Sequence, residues 1–171
     1  RLDAYFEQTS NSGRPCADGS GEYEGFPFAL KQGDAQATYS GNPPCAFSRP
    51  EAWFPNGPSG EGDSFSPMMY YDEVLLTKAW AANEGLISGT PEDLVGDAIE
   101  ASVNFYGNQT DADISGSSSA TQNYISQVQN DFGSDPEQVI GEQPYIPFYR
   151  HHIQGWSTWR RFDFEGVLGA P

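Results

Sequence analysis

Positive charge is what this chain has least of: eight Lys and Arg stand against 24 Asp and Glu in 171 residues, a formal net charge of -16. Such a balance repels phosphate backbones and anionic lipid surfaces, which excludes nucleic acid as a partner. No apolar run approaches the roughly 18 residues that cross a bilayer as a helix, and no basic, apolar, small-residue leader opens the sequence. Neither a transmembrane span nor an intact signal peptide is read. Cysteine is down to Cys16 and Cys45, too few and too far apart for a Cys-x-x-Cys redox pair or a zinc site. The two histidines, His151 and His152, are adjacent and on a helix diverge by about 100 degrees, so they do not share a metal.

Catalytic signatures are missing as well. There is no Gly-x-Ser-x-Gly elbow, no His-Glu-x-x-His and no phosphate-cradling glycine loop. The expectation is a protein that is not an enzyme and carries no cofactor. An exported carbohydrate-active enzyme using a pair of the many carboxylates is the alternative, although no spacing singles out one acid and one base.

What the chain does have is aromatic and turn-forming residues: 11 Phe, 9 Tyr and 4 Trp among 19 Gly and 13 Pro. Enough ring area is present to build a core, so wholesale disorder is excluded. Residues 1–67 lack helical periodicity and read as a loop-rich layer, with at most a short strand over 22–29. Residues 68–171 read as helical.

Helix one is expected over 68–86, with Tyr71, Val74, Leu75, Ala79 and Ala82 as its apolar stripe, acids Asp72 and Glu73 in its first turn, and Gly85 as its stop. Thr90-Pro91-Glu92-Asp93 opens a second helix through a hydroxyl cap and a first-turn proline. Its stripe is Leu94, Val95, Ala98, Ile99, Ser102, Phe105 and Tyr106, and Gly107 is expected to end it. A third helix is expected over 121–132, carrying Tyr124, Ile125 and Val128. Asp135-Pro136 starts a fourth, which Pro144 and Pro147 should disturb. Helical character resumes over 151–162, where Trp156 and Trp159 share a face. The pair is expected to pack on the first helix, with Arg160 and Arg161 structural and paired to acids.

Three further sets of residues carry candidate chemistry. Cys16 and Cys45 lie in Gly/Pro/Ser-rich loops of an acidic, lysine-poor chain, which favours a disulfide over two free thiols. Asp111, Asp113 and Ser115, with Gly116, match the first half of a calcium loop, but Gln122 stands where a bidentate carboxylate is needed, so a solvated polar loop is the preferred reading. Tyr23, Phe26, Trp53 and Phe54 could offer flat faces to a sugar ring, the alternative being rings that pin a loop to the core.

The series Arg1-Leu2-Asp3-Ala4-Tyr5-Phe6, Tyr23-Glu24-Gly25-Phe26-Pro27, Ser48-Arg49-Pro50, Pro67-Met68-Met69-Tyr70-Tyr71-Asp72-Glu73-Val74, Phe105-Tyr106-Gly107 and Trp156-Ser157-Thr158-Trp159-Arg160-Arg161 resembles the SusD/RagB family. These are nutrient-binding outer-membrane lipoproteins of Bacteroidetes, and the closest branch is SusD-like group two. Gln143-Pro144-Tyr145 departs from the family's usual Gln-Lys-aromatic, and Glu165 interrupts the proline that usually follows Arg-Arg. The resemblance implies a mainly α fold, a tetratricopeptide-like superhelix of helix hairpins with an irregular loop-rich layer. It further implies non-catalytic binding of a glycan or other nutrient oligomer, and delivery to a SusC-like TonB-dependent transporter. Set against the family, the chain reads as one domain or as the C-terminal part of a longer protein, with a lipid anchor at the outer membrane carried by a preceding segment.

Overall fold

The computed structural model describes residues 2–8, 23, 48, 50, 62, 68–110, 112–145 and 152–162. Among these residues the chain is helical and has no strand: α1 Leu2–Tyr5, α2 Tyr71–Asn83, α3 Pro91–Gln109, α4 Ser119–Phe132, α5 Pro136–Tyr145 and α6 His152–Phe162. The mainly α expectation holds. The chain divides into two compact units, Arg1–Ser66 with Tyr106–Ile114, and Pro67–Phe105 with Ser115–Pro171. Apart from Tyr23, the expected strand over 22–29 lies outside the described residues, as do both cysteines and Pro147.

Helix ends in the second unit follow local chemistry. At the end of α2, Gly85 takes φ +69°, the Gly85 N–H donates to the Ala82 carbonyl at 3.0 Å and the Leu86 N–H to Ala81 at 2.8 Å. These two bonds form a Schellman cap, which needs a left-handed residue that glycine supplies without a Cβ clash. Helix α3 starts on Pro91, where the missing N–H costs nothing. The Ser118 hydroxyl accepts from the Thr121 N–H at 3.2 Å and starts α4 two residues earlier than the periodicity predicts. Asp135 does the same for α5, accepting from the Gln138 N–H at 3.0 Å. Pro144 does not break α5, which runs on to Tyr145. Its place in the final turn limits the damage to one lost donor.

Packing in this unit is antiparallel from α3 to α5. The Gln129 amide donates to the Glu92 carbonyl at 3.2 Å, Gln122 reaches Glu100 at 3.5 Å, and the Gly116 N–H donates to Asn104 Oδ1 at 2.8 Å. As the α3 number rises its partner's number falls, the signature of a helix hairpin. Helix α5 packs in turn on α2, α4 and α6, and Tyr124 meets Gln143 across α4 and α5. Val95, Ala98, Ile99, Ile125, Val128 and Ile140 are buried. Each of the larger side chains contributes about 1.5–3 kcal/mol on leaving water.

Helix α2 departs from expectation. Its buried residues are Asp72, Leu75, Leu76 and Ala79, whereas Tyr71 is 70% exposed and Val74 is exposed as well. Seven of the nine residues from Val74 to Ala82 are apolar, so periodicity alone singles out no face, and the position of α5 and its neighbours decides. Asp72, buried where an apolar residue would be expected, accepts from the Glu73 N–H at 3.0 Å.

In the first unit, Ala4 and Tyr5 of α1 are buried, and Phe6 forms an isolated antiparallel bridge with Pro50. Tyr5 meets Tyr106 edge to face, ring centroids 4.7 Å apart at 85°, the arrangement that the ring quadrupoles favour. Gly107 does not terminate α3, which continues to Gln109. A Cβ on Gly107 would sit 2.2 Å from the Ile114 carbonyl oxygen, so glycine is there to let the returning chain approach. The helix stops where the Thr110 hydroxyl takes over, donating to the Tyr106 carbonyl at 2.8 Å and accepting from the Ala112 N–H at 3.2 Å.

Candidate binding groove

Three helices of the second unit enclose a groove of about 210 Å³, and each contributes one face at helical spacing. From α2 come Glu73, Thr77 and Trp80, at i, i+4 and i+7, with Leu76 at the floor. From α6 come Gln154, Ser157, Thr158 and Arg161, again i, i+3, i+4 and i+7. Ile140 and Pro144 of α5 close the base. Residues so spaced share a stripe, so three stripes facing one another suffice to make the site.

Polar groups in the groove are unevenly satisfied. The Thr77 hydroxyl bonds back to the Glu73 carbonyl at 2.9 Å. Arg161 lies over the Trp80 ring, its guanidinium carbon 5.4 Å from the centroid, within cation–π range. Oε2 of Glu73 is buried and has no hydrogen-bond partner, and an ionised carboxylate oxygen can only accept. The groove thus offers an aromatic surface, a waiting acceptor, and hydroxyl and amide groups opposite.

A second cleft, about 370 Å³, lies between α4 and α5, lined in part by Tyr124, Val128, Gln138, Glu142 and Gln143. Its polar groups answer one another: the Gln143 amide donates to the Tyr124 hydroxyl at 3.2 Å, and the Gln138 amide to Glu142 Oε1 at 2.7 Å. Among the described residues it holds no buried, unpartnered acceptor of the kind Glu73 supplies.

The residues singled out from sequence fare differently. Tyr23 is half-buried and its hydroxyl donates to Asp3; Phe26, Trp53 and Phe54 lie outside the described residues, as does the cysteine pair. Trp156, expected to pack on α2, is 48% exposed, and the Trp159 side chain lies outside the described set. On α6 the residues that line the groove are Gln154, Ser157, Thr158 and Arg161, and the Arg161 guanidinium lies over Trp80.

Asp111 of the calcium-like loop is also outside the described residues, and Asp113 and Ser115 are exposed. Gln122, standing where calcium needs a carboxylate, donates its amide to the Gly116 carbonyl at 2.8 Å. Ser115 Oγ lies 3.0 Å from Ser117 Oγ, and the Thr121 hydroxyl donates to the Ser115 carbonyl at 2.8 Å. These bonds fasten the loop to the start of α4. Among the described residues no group of three His, Cys, Asp or Glu is placed to hold a metal ion, and no helix is long and apolar enough to cross a membrane.

Sequence reasoning missed the groove. Glu73, Thr77 and Trp80 carry a legible i, i+4, i+7 signal, but their partners on α6 lie more than seventy residues away in sequence. Comparison with known proteins gives a match over residues 1–170 to a SusD-like family model described as starch-binding and associating with the outer membrane. No curated protein and no solved structure matches the chain.

Proposed function

The chain belongs to the SusD-like family, starch-binding proteins that associate with the outer membrane, and on that premise we propose that it binds a glycan at the cell surface without altering it. Delivery of that glycan to a SusC-like TonB-dependent transporter, and lipid anchoring at the membrane, belong to the same reading. The observation that carries it is the family match along 1–170. Support comes from the helix hairpins of α3 to α5, as a tetratricopeptide-like array requires, and from a sequence without a catalytic motif. Tyr23, Phe26, Trp53 and Phe54 are proposed as ring faces for the sugar.

A panel of soluble polysaccharides tests the reading, with binding followed by affinity electrophoresis and cleavage by the appearance of reducing ends. Retardation by at least one glycan with no new reducing ends is expected. New reducing ends would move the protein into the class of exported carbohydrate-active enzymes.

A further inference from the structure

We propose that the groove formed by α2, α5 and α6 is a saccharide subsite that seats one uncharged hexopyranose unit, with Glu73 accepting from its hydroxyls and Trp80 covering an apolar ring face. The inference rests on the glycan-binding reading and adds to it a site in the second unit that the loop aromatics do not include.

Chemistry narrows the ligand. The buried Glu73 Oε2 has no partner, and such an oxygen calls for a donor; a sugar hydroxyl supplies one and brings no charge into the groove. Among the described residues lining the groove, Glu73 and Arg161 alone are ionisable, and their charges cancel. An anionic sugar would meet the buried carboxylate, and a bare cation would leave the apolar lining of Leu76, Trp80 and Ile140 unused. Size narrows it further: about 210 Å³ is below the ~300–1,000 Å³ typical of pockets for drug-sized ligands, so the groove seats one ring and leaves the rest of an oligomer outside. Trp80 with Leu76 and Ile140 gives the apolar side, where a pyranose face takes the place of the Arg161 guanidinium over the indole, and Gln154 and Thr158 of α6 line the same groove to meet further hydroxyls.

The test uses the 171-residue chain and maltoheptaose, chosen because the family is described as starch-binding, with the polysaccharide panel as a second source of ligand. Titration calorimetry is run on the wild type, Glu73→Gln, Thr158→Val and Trp80→Phe, each checked for helix content by circular dichroism. Glu73→Gln keeps the shape and alters the acceptor, so a loss of tenfold or more is expected, with a smaller loss for Thr158→Val. Indole fluorescence that shifts with sugar in the wild type should respond less in Trp80→Phe, which keeps an aromatic floor should Trp80→Ala fail to fold. Wild-type binding that all three variants preserve would overturn the groove while leaving the glycan reading standing. Absence of binding to any glycan would overturn both. Tighter binding of a uronate oligomer than of a neutral one would refute the assignment to an uncharged ring.

Discussion

The guanidinium of Arg161 rests on the indole of Trp80 at 5.4 Å, joining the last turn of α6 to the last turn of α2 in a chain with only eight basic residues. Arg161 is exposed, so water competes for the charge and the contact is a modest one. Arg161→Gln is expected to lower stability by about 0.5–1 kcal/mol, read as a small drop in denaturation midpoint. A loss several times larger would mean that Arg161 holds an ion pair as well.

Two helical glycines give opposite expectations. At Gly107 an added Cβ meets the Ile114 carbonyl oxygen at 2.2 Å, and backbone cannot step aside cheaply, so Gly107→Ala should destabilise by about 1–3 kcal/mol despite its better helix propensity. At Gly96 the neighbours are the Gln129 amide at 2.9 Å and the Ile125 Cγ2 at 3.1 Å. A flexible amide can move, and the propensity gain of about 1 kcal/mol offsets the crowding, leaving Gly96→Ala near neutral. Urea denaturation of both variants side by side checks the contrast, and equal costs would contradict it.

Caps should show their usual worth. Ser118→Ala removes the acceptor for the Thr121 N–H and should cost about 1 kcal/mol. Gly85→Ala forces a Cβ into φ +69° and should cost about 1–2 kcal/mol. Thermal melting followed at 222 nm reads both, and an unchanged midpoint for Gly85→Ala would show that the α2 end rearranges.

Tyr106 is 1% exposed and packs edge to face on Tyr5. Tyr106→Ala should cost about 3–5 kcal/mol, the range for removing a large buried ring. Tyr106→Phe keeps the ring, so a far smaller loss is expected from the same melts.

Cys16 and Cys45 are expected to be joined. In the chain-entropy account a loop of this length is stabilised by about 3–4 kcal/mol. Thiol titration of the unreduced, denatured protein should find none, and two reactive thiols would refute the bridge.

Sequence alone determined several helix boundaries, because caps act within one turn. Pro91, Asp135-Pro136 and Gly85 each settle a boundary through their own φ, missing donor or side-chain oxygen, and all three were legible. The mainly α class follows from the same signals, and the family from residues spread along the whole chain. Which face of α2 is buried was not legible, since apolar residues surround most of that helix and only its packing against α5 chooses Leu75, Leu76 and Ala79 over Tyr71 and Val74. Gly107 reads as a stop until Ile114 is seen to pass beside it. The candidate groove needed the tertiary structure for the same reason: Glu73 and Trp80 share a stripe by periodicity, but Arg161 comes to them from 81 residues beyond Trp80 in sequence, and contacts between distant segments are set by how helices pack, which no local pattern encodes.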